Sequence, residues 1–150
     1  MYMINSRPCK KEDLPAVLEL MQQLGEFAHS ETEFNLDHFR RLFAEMSAAP
    51  AVYLNLVCEI DGQVCGFLSL VFYASFFHKV GTALINELVI DSARRGQGLG
   101  RRLIEVAISE ARARGLDEIE VGTEKTNLAA QHFYHNSGFT EEYVLLGMEF

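Results

Sequence analysis

One stretch, an apolar run that breaks into a glycine- and arginine-rich turn, constrains this chain more than any other. It reads Ile-Asn-Glu-Leu-Val-Ile-Asp-Ser-Ala-Arg-Arg-Gly-Gln-Gly-Leu-Gly-Arg-Arg from Ile85 to Arg102. The apolar run holds one acid, Glu87, and reads as part of a strand over Thr82–Asp91. Leu99, Leu103, Ile104, Ala107, Ile108 and Ala111 then recur at helical spacing, so a long amphipathic helix is expected from Gly98 to Arg114, stopped by Gly115. The turn therefore sits at a helix N-terminus, where backbone N–H groups lack partners and the macrodipole is positive. Gly96, Gly98 and Gly100 have no Cβ, so an anion can approach the backbone closely. Arg94, Arg95, Arg101 and Arg102 add charge where phosphates would sit. The stretch reads as a pyrophosphate-binding loop.

Glycine spacing separates the loop types. A P-loop needs a lysine after its last glycine, and none follows here. The dinucleotide fingerprint needs Gly-x-Gly-x-x-Gly, whereas Gly96, Gly98 and Gly100 alternate. A third pattern, Arg/Gln-x-x-Gly-x-Gly/Ala, is met by Arg95, Gly98 and Gly100.

The other elements follow from periodicity. Tyr2–Arg7 reads as an edge strand ended by Pro8. Lys11–Leu24 reads as a helix stopped by Gly25, and Leu36–Ser47 as a second helix. Between them Glu26–Asn35 is acidic and aromatic; it suits a solvated loop anchored by Phe27 and Phe34, or one wall of a pocket for an amine. Ala51–Ile60 and Gln63–Phe76 are strands joined by the turn Asp61-Gly62, the second apolar on both faces and therefore central. With a two-residue turn, Cys58 and Cys65 fall opposite each other in a hydrogen-bonded pair, where a disulfide would be strained; they read as small buried apolar residues. Leu116–Thr123 is a strand, Asn127–Asn136 a short helix, and Phe139–Phe150 a final strand region. The hairpin forces antiparallel pairing and the long helix a parallel crossover, so the fold class is α/β with a mixed sheet.

The 150 residues suit one domain, 1–150, and the net charge of −8 argues against nucleic acid while suiting a cationic substrate. No apolar run is long enough to span a membrane and no signal peptide is expected, so no membrane partner is expected either. Three cysteines without a dense framework fit a reducing cytoplasm. His132 and His135 lie three apart on a helix, but no third ligand is evident and no metal is expected. His78 sits in a loop that can line an acceptor mouth.

A second segment, Asn127-Leu-Ala-Ala-Gln-His-Phe-Tyr-His-Asn-Ser-Gly-Phe139, matches Asn-x-x-Ala-x-x-Phe-Tyr-x-x-x-Gly-Phe at Asn127, Ala130, Phe133, Tyr134, Gly138 and Phe139. Together with the Arg95–Gly100 pattern, it resembles the motifs of the GNAT superfamily of N-acetyltransferases. The resemblance covers Ile85–Phe139 directly and implies a central mixed, mostly antiparallel twisted sheet of six to seven strands flanked by about four helices. It also implies acetyl-CoA as co-substrate and a possible homodimer.

Resemblance and chemistry together nominate the site. Backbone and side chains of Arg95, Gly96, Gln97, Gly98, Leu99, Gly100 and Arg101 would hold the pyrophosphate, and main-chain groups of Leu88, Val89 and Ile90 would pair with the pantetheine arm as an added strand. Asn127 would bond the arm, cap the short helix, or both. An acceptor amine has a pKa near ~10.4, so roughly one molecule in a thousand is neutral at pH 7. Glu87 is the candidate to take its proton, directly or through water, unless it is a plain exposed strand residue or pairs with an arginine. A strand N–H near Val89 would stabilise the developing oxyanion. Tyr134 would protonate the departing thiolate. No cysteine lies near the loop in sequence, which disfavours an acetyl-cysteine route. The acceptor reads as a small cationic amine ahead of a protein N-terminus or lysine. The alternative function is a regulatory module that binds acetyl-CoA without turning it over.

Overall fold

A computed structural model describes residues 1–150 as a five-stranded sheet whose strands lie in chain order. They are β1 (Ile4–Pro8), β2 (Tyr53–Ile60), β3 (Gln63–Tyr73), β4 (Thr82–Ile90) and β5 (Glu118–Val121). The helices are α1 (Leu14–Phe27), α2 (Leu36–Ser47), α3 (Leu99–Ala113) and α4 (Leu128–Asn136). β1 through β4 pair antiparallel, and β5 pairs parallel to β4 after the α3 crossover, so the sheet is mixed and mostly antiparallel.

β3 is buried without interruption from Cys65 to Leu70, as an apolar pattern on both faces requires. Alternate residues serve separate layers. Cys58, Leu68, Leu70 and Ile85 pack with Leu99, Leu103, Ile104 and Ala107 of α3, and Phe133 and Tyr134 of α4 close that side. Val57, Phe67 and Val89 face Val17 and Leu20 of α1. Fully burying aliphatic side chains of this kind stabilises by about 1.5–3 kcal/mol each. No helix is long and apolar enough to cross a membrane.

Element ends shift by up to a few residues, with Pro8 the last residue of β1 rather than its stop, and the structure departs further from the sequence expectations in strand count, in one helix stop and in one register. There are five strands, not six or seven, because Phe139–Phe150 joins no ladder. A strand with apolar groups on both faces needs cover on both faces, and Val144, Leu145 and Leu146 have neither in a single chain. Gly25 does not stop α1, which runs through it to Phe27. It is glycine because the returning loop lays Phe34 on the helix there; a Cβ would come within 2.8 Å of that ring. Finally, Cys58 faces Gly66 rather than Cys65, because a bulge shifts the register beside Glu59 and leaves Cys65 as the extra residue. Both cysteines are buried and free, consistent with their reading as small core residues.

Candidate active site

The site begins where β4 and β5 part. Their ladder runs from Thr82–Glu118 to Ile85–Val121 and stops. β4 continues from Asn86 to Ile90, bonded only to β3. The cause is local: Ser69 pairs with Glu87 and Leu70 with Ile85, so Asn86 is an extra residue that bulges β4. Bulges bend a strand and re-aim its side chains. The gap widens into a cleft of about 650 Å³.

One end of the cleft is the glycine loop. Asp91 accepts the Ala93 N–H at 3.1 Å and shapes a single 3-10 turn, Ser92–Arg94. Gln23 of α1 clasps that turn, accepting the Ser92 N–H at 2.9 Å. Gly96 and Gly98 then take φ of 77° and 80°, which favours glycine. A Cβ at either would point into open space, so the room before the helix stays free. Gly98 caps α3 with no side chain to bond the first turn. The first bond into the helix is Arg102 N–H to the Gly98 carbonyl at 3.1 Å, so the N–H groups of Leu99, Gly100 and Arg101 are open. With the macrodipole and Arg94, Arg95 and Arg101 on the cleft wall, they suit a pyrophosphate. Gly100 has a different reason to be glycine: a Cβ would lie 3.3 Å from the ring of Phe133, which reaches it from α4.

The middle of the cleft runs along Leu88, Val89 and Ile90, whose backbone on the β5 side is unpaired. Asn127 faces them; its Oδ1 accepts the Ala130 N–H at 3.0 Å, which caps α4 and leaves its amide N–H groups for a ligand. Tyr134 enters from α4, edge-on to Phe133 and Phe139 with centroids 5.3 and 5.8 Å away. Burial pushes its hydroxyl above the usual tyrosine range, so it stays protonated and can donate. Glu87 enters from β4, held by the Ser69 hydroxyl rather than by an arginine. Leu24 and Phe27 of α1 close the wall beyond it.

Glu87, Leu88, Val89, Ile90, Arg95, Gly96, Gly98, Leu99, Gly100, Arg101, Asn127 and Tyr134 thus line one cleft, whereas Gln97 and Arg102 do not. His78 is also absent from its wall; its ring bonds Glu118 at 2.8 Å and Ser75 at 3.1 Å. His132 and His135 take separate partners, Asn136 and Glu142. No cysteine reaches the cleft, and burial raises the thiols of Cys58 and Cys65. Of the acidic segment, Phe27 lines the cleft and Phe34 anchors the loop edge-on to Phe39 at 6.0 Å. Sequence reasoning missed Leu24, Ser69 and Asn86. Only the register of β3 against β4 and the length of α1 bring them in, and neither leaves a motif.

Known proteins resemble this chain in sequence and in fold. The model of the acetyltransferase (GNAT) family matches residues 14–139. An aminoalkylphosphonate N-acetyltransferase of Salmonella typhimurium is 29% identical over 89% of this chain and 92% of its own. An uncharacterized N-acetyltransferase of Methanocaldococcus jannaschii is 36% identical over 61% of this chain, which spans 41% of that protein. A solved structure described as a putative acetyltransferase from Agrobacterium tumefaciens superposes with a TM-score of 0.86 at 26% identity, covering 97% of this chain and 99% of that one.

Proposed function

The chain belongs to the GNAT family of acetyltransferases, and from that premise we propose that it moves an acetyl group from acetyl-CoA to a primary amine by direct attack in a ternary complex. The observation that carries this is the continuity of one cleft, from the uncapped N-terminus of α3, along the unpaired edge of β4, to Glu87 and Tyr134. Acetyl-CoA supplies the activated thioester. The N–H groups of Leu99, Gly100 and Arg101, with Arg94 and Arg95, hold its pyrophosphate. Leu88–Ile90 offer backbone groups to the arm as a neighbouring strand would. Glu87 takes the proton from the ammonium, directly or through water, so that the nitrogen lone pair can attack. An N–H of β4 near Val89 bonds the carbonyl oxygen as charge develops. As the C–S bond breaks, Tyr134 gives its proton to the departing sulfur and regains one from the newly bonded nitrogen, which loses its second proton to become the amide. We propose that residues 1–150 act as one such domain in the cytoplasm, where free cysteines persist.

The acceptor is a small cationic amine. No lysine or arginine occurs from Glu12 to Phe39, the segment that includes α1 and its wall of the cleft, whereas Glu12, Glu19, Glu26, Glu31, Glu33 and Asp37 do. Of that segment only Leu24 and Phe27 line the cleft, so its carboxylates act on an approaching acceptor as a surrounding negative field, which favours a second ammonium over a phosphonate. The relative from Salmonella typhimurium is named for an aminoalkylphosphonate, so spermidine against 2-aminoethylphosphonate is the informative pair. The unpaired C-terminal segment favours a homodimer.

Thermal shift with acetyl-CoA, CoA, NAD and ATP tests the loop: ligand at about 100 times its Kd stabilises by ~2.7 kcal/mol, and only the CoA species are expected to act. Thiol release across an amine panel tests catalysis, with spermidine ahead of 2-aminoethylphosphonate and a lysine peptide. A silent panel with normal acetyl-CoA binding favours the sensor alternative. No stabilisation by acetyl-CoA removes the site itself.

A further inference from the structure

Ser69 is one of the few buried polar residues, 4% exposed, and it belongs to neither pyrophosphate loop nor acceptor wall. It sits opposite Glu87, next to the bulge at Asn86. Its hydroxyl oxygen accepts the Glu87 backbone N–H at 3.1 Å, a donor that the disturbed ladder would otherwise leave short of a partner. The same hydroxyl donates its hydrogen to Glu87 Oε2. One side chain therefore grips Glu87 at both ends, by its backbone and by its carboxylate. Oε1 has no protein hydrogen bond and is the oxygen left for an amine or water. A free glutamate samples many rotamers, and restraining one costs conformational entropy. Here that restraint is built into the β3–β4 pair before any substrate arrives.

We propose that Ser69 is a positioning residue for the acetyl transfer: it fixes the Glu87 carboxylate on the bulged strand so that Oε1 faces the acceptor nitrogen. This deepens the function proposed above and rests on Glu87 as proton acceptor. Ser69 touches neither substrate and acts only through Glu87.

A double-mutant cycle tests it, read as thiol release from acetyl-CoA with spermidine, 2-aminoethylphosphonate and a lysine peptide as probes. Ser69→Ala is expected to lower kcat about 10- to 100-fold, the scale on which a small misplacement acts, while KM for acetyl-CoA and the acetyl-CoA thermal shift stay at wild-type values. In a Glu87→Gln background the same change is expected to have no further effect, because the group it orients is gone. Ser69→Cys keeps the volume but is a weak donor, so it repeats the kcat loss if the alanine variant does not fold. Equal losses with and without Glu87, or a wild-type kcat in both serine variants, overturn the positioning role while leaving Glu87 in place. Full activity in Glu87→Gln overturns the base reading instead, and this inference with it, as does a wild-type protein silent with every probe.

Discussion

Tyr134 separates chemistry from stability at a single atom. Its hydroxyl has no protein hydrogen bond, and its ring is fixed by Phe133 and Phe139. Tyr134→Phe keeps the ring contacts, so stability should change by less than about 0.5 kcal/mol, whereas thiol release should fall by roughly 10²- to 10⁴-fold. Parallel melting and turnover measurements check this, and a large drop in stability would mean that the hydroxyl has a structural partner. Asp13 is the opposite case, a residue whose charge serves the fold. Arg7 donates to both its oxygens, at 2.7 and 2.9 Å, and this holds its carboxyl below the usual range. A depressed carboxyl contributes stability that is complete above the unfolded value near ~3.9 and is lost as pH falls through the lower folded value. Asp13→Asn should therefore cost about 2 kcal/mol at pH 7, and the gap should close in acid; urea midpoints at both pH values report it. Tyr134 and Asn127 were legible in the sequence because the work they do, filling an aromatic corner and capping a helix, is local to one motif. Ser69 was not, because its partner lies on the next strand and the register depends on a bulge. Cys65 shows how little it takes: a hairpin count from Asp61-Gly62 sets it opposite Cys58, and one extra residue moves it off.

Elements carry the next constraint, at the connection that brings β5 to β4. Asp117 Oδ2 accepts the Val80 N–H at 2.6 Å and the Gly81 N–H at 2.9 Å, which ties the start of β4 to the approach to β5. Gly81 has φ of 152°, and a Cβ there would meet the Tyr73 carbonyl oxygen at 2.5 Å. That contact is with backbone and cannot swing away. Gly81→Ala should cost about 2–3 kcal/mol, combining strain with a forced strand shift. At this chain length that lowers Tm by roughly 5–10 °C. Gly62→Ala is the control: its φ is 83° but nothing lies within 4 Å, so only the backbone term of about 1–2 kcal/mol applies. Equal Tm losses would mean that the close approach at Tyr73 does not matter. Helices were legible to within a few residues because apolar spacing is read along one element. Their ends were less so: glycine signals a stop when it supplies a left-handed residue, as Gly115 does at φ 70°, but Gly25 is there for Phe34 and the helix passes through it.

At the scale of the whole molecule, the last residues and the last strand pose one question together. β5 pairs only with β4, so its other edge presents unpaired N–H and C=O groups. The C-terminal segment presents Tyr143, Val144, Leu145, Leu146, Met148 and Phe150, between 71% and 114% exposed. Leu145 lies close to the space beside Gly122, and Tyr143 feels the charge of Glu118, so the segment starts beside β5 without joining its ladder. A chain that carries both an open strand edge and an uncovered apolar segment is complementary to a second copy of itself, and a two-fold arrangement satisfies both at once. Covered fully, the two aromatic side chains alone bury on the order of 300 Å², and with the four aliphatic ones the segment approaches the ~800 Å² per partner of a stable interface. Val121 and Gly122 also line the cleft, so the strand that such pairing would stabilise is a wall of the site. The sequence marked this segment as a strand and the structure gives it no ladder, because apolar pattern along a chain does not say whether a partner edge belongs to the same chain. The full-length protein is therefore expected to be a dimer at micromolar concentration by light scattering, with a Tm that rises with concentration. Deleting the residues after Thr140 should give a monomer of lower Tm. A monomeric full-length protein with slowly exchanging amides from Tyr143 onward would put the segment on its own β5 edge, and a dimer that survives the deletion would put the interface on another face.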